Sequence, residues 1–139
     1  MIMNKEFLWV EKYRPKTIEE CILPDNTKKT FQNFLDKGEI PNMLLAGPAG
    51  CGKTTVAKAL CNQLGVDYYV INGSDEGRFL DTVRSNAKNF ASTVSLQATA
   101  KHKVIIIDEA DNTTNDVTLL LRAFHEAFSG NCRFIHDTY

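Results

Sequence analysis

Eight residues constrain this chain more than any others: Gly47-Pro48-Ala49-Gly50-Cys51-Gly52-Lys53-Thr54, a glycine, four residues, then Gly-Lys-Thr. The apolar run Met43-Leu44-Leu45-Ala46 precedes them and a helix-patterned stretch follows. In that setting the spacing has a mechanical meaning. Glycines let the backbone curl so that successive N–H groups point inward at anionic oxygens. The helix that follows adds its unsatisfied N-terminal amides and positive dipole end. Such a loop cradles a chain of phosphates. Lys53 is placed to reach the β- and γ-phosphates of ATP, and the Thr54 hydroxyl to complete a Mg²⁺ shell. A glycine-rich turn that binds nothing leaves Lys53 and Thr54 in register without a reason.

The second strong element is Val104-Ile105-Ile106-Ile107-Asp108-Glu109. Four β-branched apolar residues running into two carboxylates suit a buried parallel strand, whose C-terminal end is where ligands bind. Asp108 is expected to hold Mg²⁺, directly or through water, and Glu109 to polarise the water that attacks the γ-phosphate. A strand ending in a helix-capping acidic pair is the plain alternative, and the phosphate-binding loop upstream outweighs it.

The remaining elements follow from periodicity. Pro15 biases Arg14 towards extended backbone, so Trp9 to Lys16 reads as an arm. Asp25 is expected to cap a helix with Phe31, Phe34 and Leu35 on its apolar face and Gly38 at its end. Val56, Leu60 and Leu64 share one face of the helix after the phosphate loop, closed by Gly65. Residues 68–71 read as a short buried strand. Asn72-Gly73-Ser74-Asp75 turns into a helix patterned by Phe79, Leu80, Val83, Ala87 and Phe90, with Arg78, Arg84 and Lys88 partly on its other side. Those basic residues alone suggest a solvated face. Residues 92–102 lack periodicity and read as a polar loop. Thr113 or Thr114 caps a helix with Val117, Leu120, Leu121, Phe124 and Phe128 inside, ended by Ser129-Gly130. Cys132-Arg133-Phe134-Ile135 begins a fourth strand, and the sequence stops at Tyr139.

Composition narrows the partners. With a formal net charge of -1, no global field drives the chain onto nucleic acid, so any DNA contact is a local patch. Cys21, Cys51, Cys61 and Cys132 form no C-x-x-C pair and no zinc spacing, which suits free thiols in a reducing cytoplasm. No apolar run is long enough for a membrane span.

The order strand, phosphate loop, helix, strand, helix, acidic strand predicts an α/β fold of the P-loop NTPase type, a parallel sheet flanked by helices. Beyond this, the chain resembles the replication-factor-C type of clamp loaders, AAA+ ATPases that open sliding clamps onto primed DNA. Trp9 to Pro15 is similar to that family's N-terminal box. Asn72-Gly73-Ser74-Asp75, Asn86 to Ser92, Asp108-Glu109-Ala110-Asp111, Leu121-Arg122 and Ser129 to Phe134 carry the likeness through the chain. Glu19-Glu20-Cys21-Ile22-Leu23-Pro24 is similar to the tailed-phage members.

The resemblance implies roles for particular residues. Tyr13, Arg14 and Pro15 line the adenine and ribose pocket, with Ile22 and Leu23 beside the base. Gly47 and the run Gly50, Cys51, Gly52, Lys53, Thr54 and Thr55 hold the phosphates. Thr54 and Asp108 serve the metal, and Lys53 and Glu109 the chemistry. Arg84 faces the spiral interior and grips the DNA backbone by shape rather than sequence. The implied partners are other clamp-loader subunits, the sliding clamp and primer-template DNA, in the cytoplasm or, for a phage protein, the host's.

The sequence also departs from that pattern. The family's fourth strand runs to a polar sensor, commonly Asn or Thr; here it reads Ile135-His136-Asp137-Thr138-Tyr139, with Thr138 near that position and the register open. The family's fifth strand, the Ser-Arg-Cys segment carrying the trans-acting arginine, the helical lid and the collar have no counterpart within residues 1–139. Residues 1–139 are therefore expected to form the N-terminal part of an AAA+ domain, incomplete at its C-terminal side, with 1–24 as arm and adenine pocket and 42–139 running from the P-loop to the fourth strand. Its fourth strand is expected at an uncovered sheet edge. The alternative is a nucleotide-binding fragment without independent ATPase activity. A helicase needs a second motor domain and a Ser-Ala-Thr motif that the sequence lacks.

Overall fold

The computed structural model describes residues 15–47, 52–73, 76–93, 102–108 and 115–138. The apolar runs become four parallel strands: β1 (Met43–Ala46), β2 (Tyr68–Asn72), β3 (Lys103–Asp108) and β4 (Cys132–Thr138). Their spatial order is β1-β4-β3-β2. β4 is thus interior, between β1 and β3, which corrects the expectation of an uncovered fourth strand. The sheet edges among the described residues are β1 and β2, because β4 inserts between β1 and β3. Their exposure shows it. Leu44 on β1 and Val70 on β2 are 67% and 36% exposed, whereas Val104 to Ile107 of β3 are 0% exposed. β2 is accordingly a half-covered edge strand rather than a buried one.

Helices cover both faces. On one lie α1 (Asp25–Lys37) and α2 (Lys53–Leu64), with Phe31, Val56, Ala57 and Leu60 packed against Val104, Ile106 and Ile135. The segment before α1 joins this face. Ile18 is buried, and its N–H donates to Gln63 Oε1 of α2 at 2.7 Å. Leu64 packs at the margin, and α2 ends at Gly65. On the other face lie α3 (Glu76–Thr82), a π-helical segment Val83–Ala87, α4 (Lys88–Ser92) and α5 (Asn115–Phe128). They bury Phe79, Val83, Val117, Leu121 and Phe124 against Ile105, Ile107 and Phe134. No helix among the described residues is long and apolar enough to cross a membrane.

Two local details differ from expectation. Pro24, not Asp25, stands at the N-cap of α1, and no side chain caps it; Asp25 lies in the first turn, where its charge complements the dipole. The π segment has a cause visible in the burial pattern. Phe79, Val83, Ala87 and Ala91 are all buried and lie four residues apart. In an α-helix at 3.6 residues per turn, each step of four drifts by about 40°. The wider π turn offsets that drift and keeps the four on the sheet. Arg84, Ser85 and Asn86 are left together in solvent.

Candidate active site

The site forms where β1, β3 and β4 end side by side. Gly47 continues the β1–β4 ladder, its N–H donating to Thr138 O at 3.2 Å. Gly52, just before α2, has a φ of 86° in the left-handed region. A Cβ there would meet no atom within 4 Å, so conformation rather than space calls for glycine. Gly52 O then accepts from Val56 N–H at 2.9 Å, and α2 begins with Lys53 and Thr54 in its first turn.

Lys53 Nζ donates to Gly47 O at 2.5 Å, folding the lysine back over its own loop. It also lies 3.5 Å from Asp137 Oδ1. Thr54 Oγ1 donates to Asp137 Oδ2 at 2.6 Å. Asp137 is 4% exposed. On β4 the odd-numbered Ile135 faces α2 and the even-numbered Phe134 faces α5, so Asp137 also turns to α2. On β3 the even-numbered Val104 and Ile106 do the same, and Asp108 follows them. The ladder pairs Ile107 with His136, so its next step sets Asp108 beside Asp137. The two carboxyl groups therefore lie side by side on neighbouring strands. Burial lifts Asp137 above the usual carboxylate range, and Asp108 adds to the lift. The Thr54 hydrogen bond and the Lys53 charge oppose it.

The structure therefore brings together Gly47, Gly52, Lys53, Thr54 and Asp108 of the expected residues, with Thr55 half-buried in the same turn. Leu23 packs against the core beside α2, whereas Ile22 is 99% exposed. Pro15 is partly buried, and Arg84 is exposed on the π segment away from this cluster's face of the sheet. Tyr13, Arg14, Gly50, Cys51 and Glu109 lie outside the described residues. Asp137 was missed by sequence reasoning. Its signal was the period of two along β4: the odd-numbered residue just before Thr138 shares the Ile135 face.

The donor set fits a hard divalent cation. One hydroxyl and two carboxylates converge, all oxygen donors of the kind Mg²⁺ takes. Among the described residues no group of three or more His, Cys, Asp or Glu is placed to hold a metal. Mg²⁺ is commonly held by one or two carboxylates together with nucleotide phosphates.

Fold and cluster define a P-loop ATPase of the AAA class. Residues 43–134 match the family described as "ATPase family associated with various cellular activities (AAA)", and the chain belongs to it. It is 46% identical over 136 residues to the sliding-clamp-loader large subunit of Enterobacteria phage T4, covering 96% of this chain and 41% of that protein. Its likeness to the replication factor C small subunit of Methanocella arvoryzae is 39% over 138 residues, covering 96% and 42%. Among solved structures, a Thermotoga maritima RuvB Holliday junction branch migration motor superposes with a TM-score of 0.67 at 26% identity, over 91% of this chain and 42% of that one. The chain thus spans about two-fifths of the relatives it matches.

Proposed function

We propose that this chain is the nucleotide-binding part of a clamp-loader ATPase subunit, which binds and hydrolyses ATP to open a sliding clamp and place it on primer-template DNA. The observation that carries the reading is the convergence of Lys53, Thr54 and Asp108 at the C-terminal ends of parallel strands. The clamp-loader relatives, similar over nearly the whole chain, supply the biological setting.

Each residue has a chemical part. The loop amides and Lys53 bind the β- and γ-phosphates and draw off charge as the γ-phosphoryl group leaves. Thr54 and Asp108 hold Mg²⁺, which when bound neutralises charge on the β- and γ-oxygens. Glu109, next along from Asp108, orients the attacking water and accepts its proton. Tyr13, Arg14, Pro15, Ile22 and Leu23 enclose adenine and ribose; the 99% exposure of Ile22 leaves an apolar side chain available to a base. Arg84 contacts the DNA backbone. Partner clamp-loader subunits complete the assembly.

The test is steady-state ATP hydrolysis by the chain with partner subunits, clamp and primed DNA, beside a Glu109→Gln variant. Turnover stimulated by clamp and DNA, and lost in the variant with nucleotide affinity kept, is the expected result. Turnover indifferent to clamp and DNA would remove the clamp-loader reading; turnover retained within about twofold in the variant would remove Glu109 from its role.

A further inference from the structure

Asp137 is a third oxygen-bearing side chain at the phosphate loop, beside Thr54 and Asp108, and it changes what the loop accepts. Its carboxylate holds both side chains that the loop offers to a ligand: Thr54 Oγ1 at 2.6 Å and Lys53 Nζ at 3.5 Å. The contact is not a surface coincidence, since Asp137 is 4% exposed and fixed on the interior strand β4. Beside it, at the end of the neighbouring strand β3, is Asp108. Two acidic groups therefore lie where a polyphosphate must come in. Each repels phosphate oxygens, and Asp137 also competes with them for the lysine and the threonine hydroxyl.

A divalent cation reverses these terms. It brings two positive charges to the carboxylates, converts their repulsion into coordination or water-mediated contact, and takes up the charge that Asp137 loses when Lys53 turns to phosphate. We infer that Asp137 makes this loop select the metal–nucleotide complex over the free nucleotide. Asp137 acts as a specificity-determining residue rather than a catalytic one. The selection is a coupling between two ligands, so it is reciprocal: bound nucleotide raises metal affinity by the same factor by which metal raises nucleotide affinity. With one acidic group, Asp108, the coupling is weaker; with two it is stronger.

The inference rests on the nucleotide-binding reading of the site, and the experiment separates the two. Binding of a non-hydrolysable ATP analogue is measured by calorimetry at pH 8, in Mg²⁺ and in EDTA, for the parent chain and Asp137→Asn. The amide keeps a hydrogen-bond acceptor for Thr54 and removes the charge. The expected result is a fall of about tenfold or more in the ratio of the two affinities, within the usual range of ligand coupling, mainly through tighter binding in EDTA. An unchanged ratio overturns the inference. So does an equal loss of affinity in both media, which would make Asp137 a support for the loop's shape. No binding by the parent in either medium overturns the nucleotide reading itself. Asp137→Thr, also neutral, gives the same comparison should the asparagine variant not fold.

Discussion

His125 of α5 and His136 of β4 face each other with their Nε2 atoms 3.1 Å apart, and the His125 ring stacks on Phe134 at a centroid distance of 3.7 Å. A hydrogen bond between two imidazole nitrogens needs one ring to donate and the other to accept, so at least one is neutral. Burial, with the charge of His136 adding to it, takes His125 down to about 4, and burial lowers His136. Both lie below the unfolded value near 6.5, so on acidification the unfolded chain takes up protons first. Stability is therefore full above about pH 7 and falls as the pH drops from about 6.5 towards 4. Thermal melts across that window should show the fall, with a shallower slope in His125→Gln. Parallel slopes in the two proteins would show that the pair does not titrate on unfolding.

Lys103, only 7% exposed, closes the far end of the same face. Its ammonium donates to Phe90 O at 2.6 Å and to Thr93 Oγ1 at 2.8 Å, and lies 4.8 Å from the Phe90 ring centroid. Phe90 O belongs to the last turn of α4, where carbonyls lack helical partners and a cation meets the negative dipole end. Lys103→Met keeps the apolar stem and loses the charged bonds. Urea titration should show a loss of about 1.5–3 kcal/mol, the usual worth of hydrogen bonds to a charged group. A loss under about 0.5 kcal/mol would mean that solvent takes over the carbonyl without penalty.

Lys53 is the direct test of the phosphate site. Lys53→Ala should weaken binding of a Mg²⁺–ATP analogue by about 2–4 kcal/mol, as for loss of a charged partner. The lower half of that range is expected, because Lys53 already has Gly47 O and Asp137 as partners in the free protein and exchanges them for phosphate. Superimposable titration curves for variant and parent would show that Lys53 does not meet the nucleotide.

Local patterns in the sequence carried most of the fold. Val56, Leu60 and Leu64 mark the α2 face, and the unbroken run Val104 to Ile107 marks a strand buried on both sides. The P-loop spacing located Lys53 and Thr54. Strand order was not legible, because nothing local in Cys132 to Thr138 says that β4 slides between β1 and β3. The period of two along β4 could place Asp137 on its face, but its contacts with Thr54 and Lys53 depend on that order and so escaped a reading by segments. The π segment was legible in principle: Phe79, Val83, Ala87 and Ala91 keep a spacing of four through three steps, over which an α-helix drifts by about 120°.

That π segment shapes the last prediction. Val83 and Ala87 are buried at its ends, and the three residues between them, Arg84, Ser85 and Asn86, all face solvent. Ser85 Oγ bonds back to Asp81 O at 2.7 Å, so its hydroxyl is committed to the helix. Arg84 is exposed and has no ion pair among the described residues. Each phosphate neutralised on duplex DNA contributes about 0.9 to the slope of log affinity against log salt. On the proposed clamp-loader reading, Arg84→Ala in the complex with partner subunits should weaken binding to primed DNA uniformly across sequences and lower that slope by about 1 for each subunit carrying the change. Nucleotide affinity measured without DNA should stay as in the parent. An unchanged salt slope would return Arg84 to an ordinary solvated helix face.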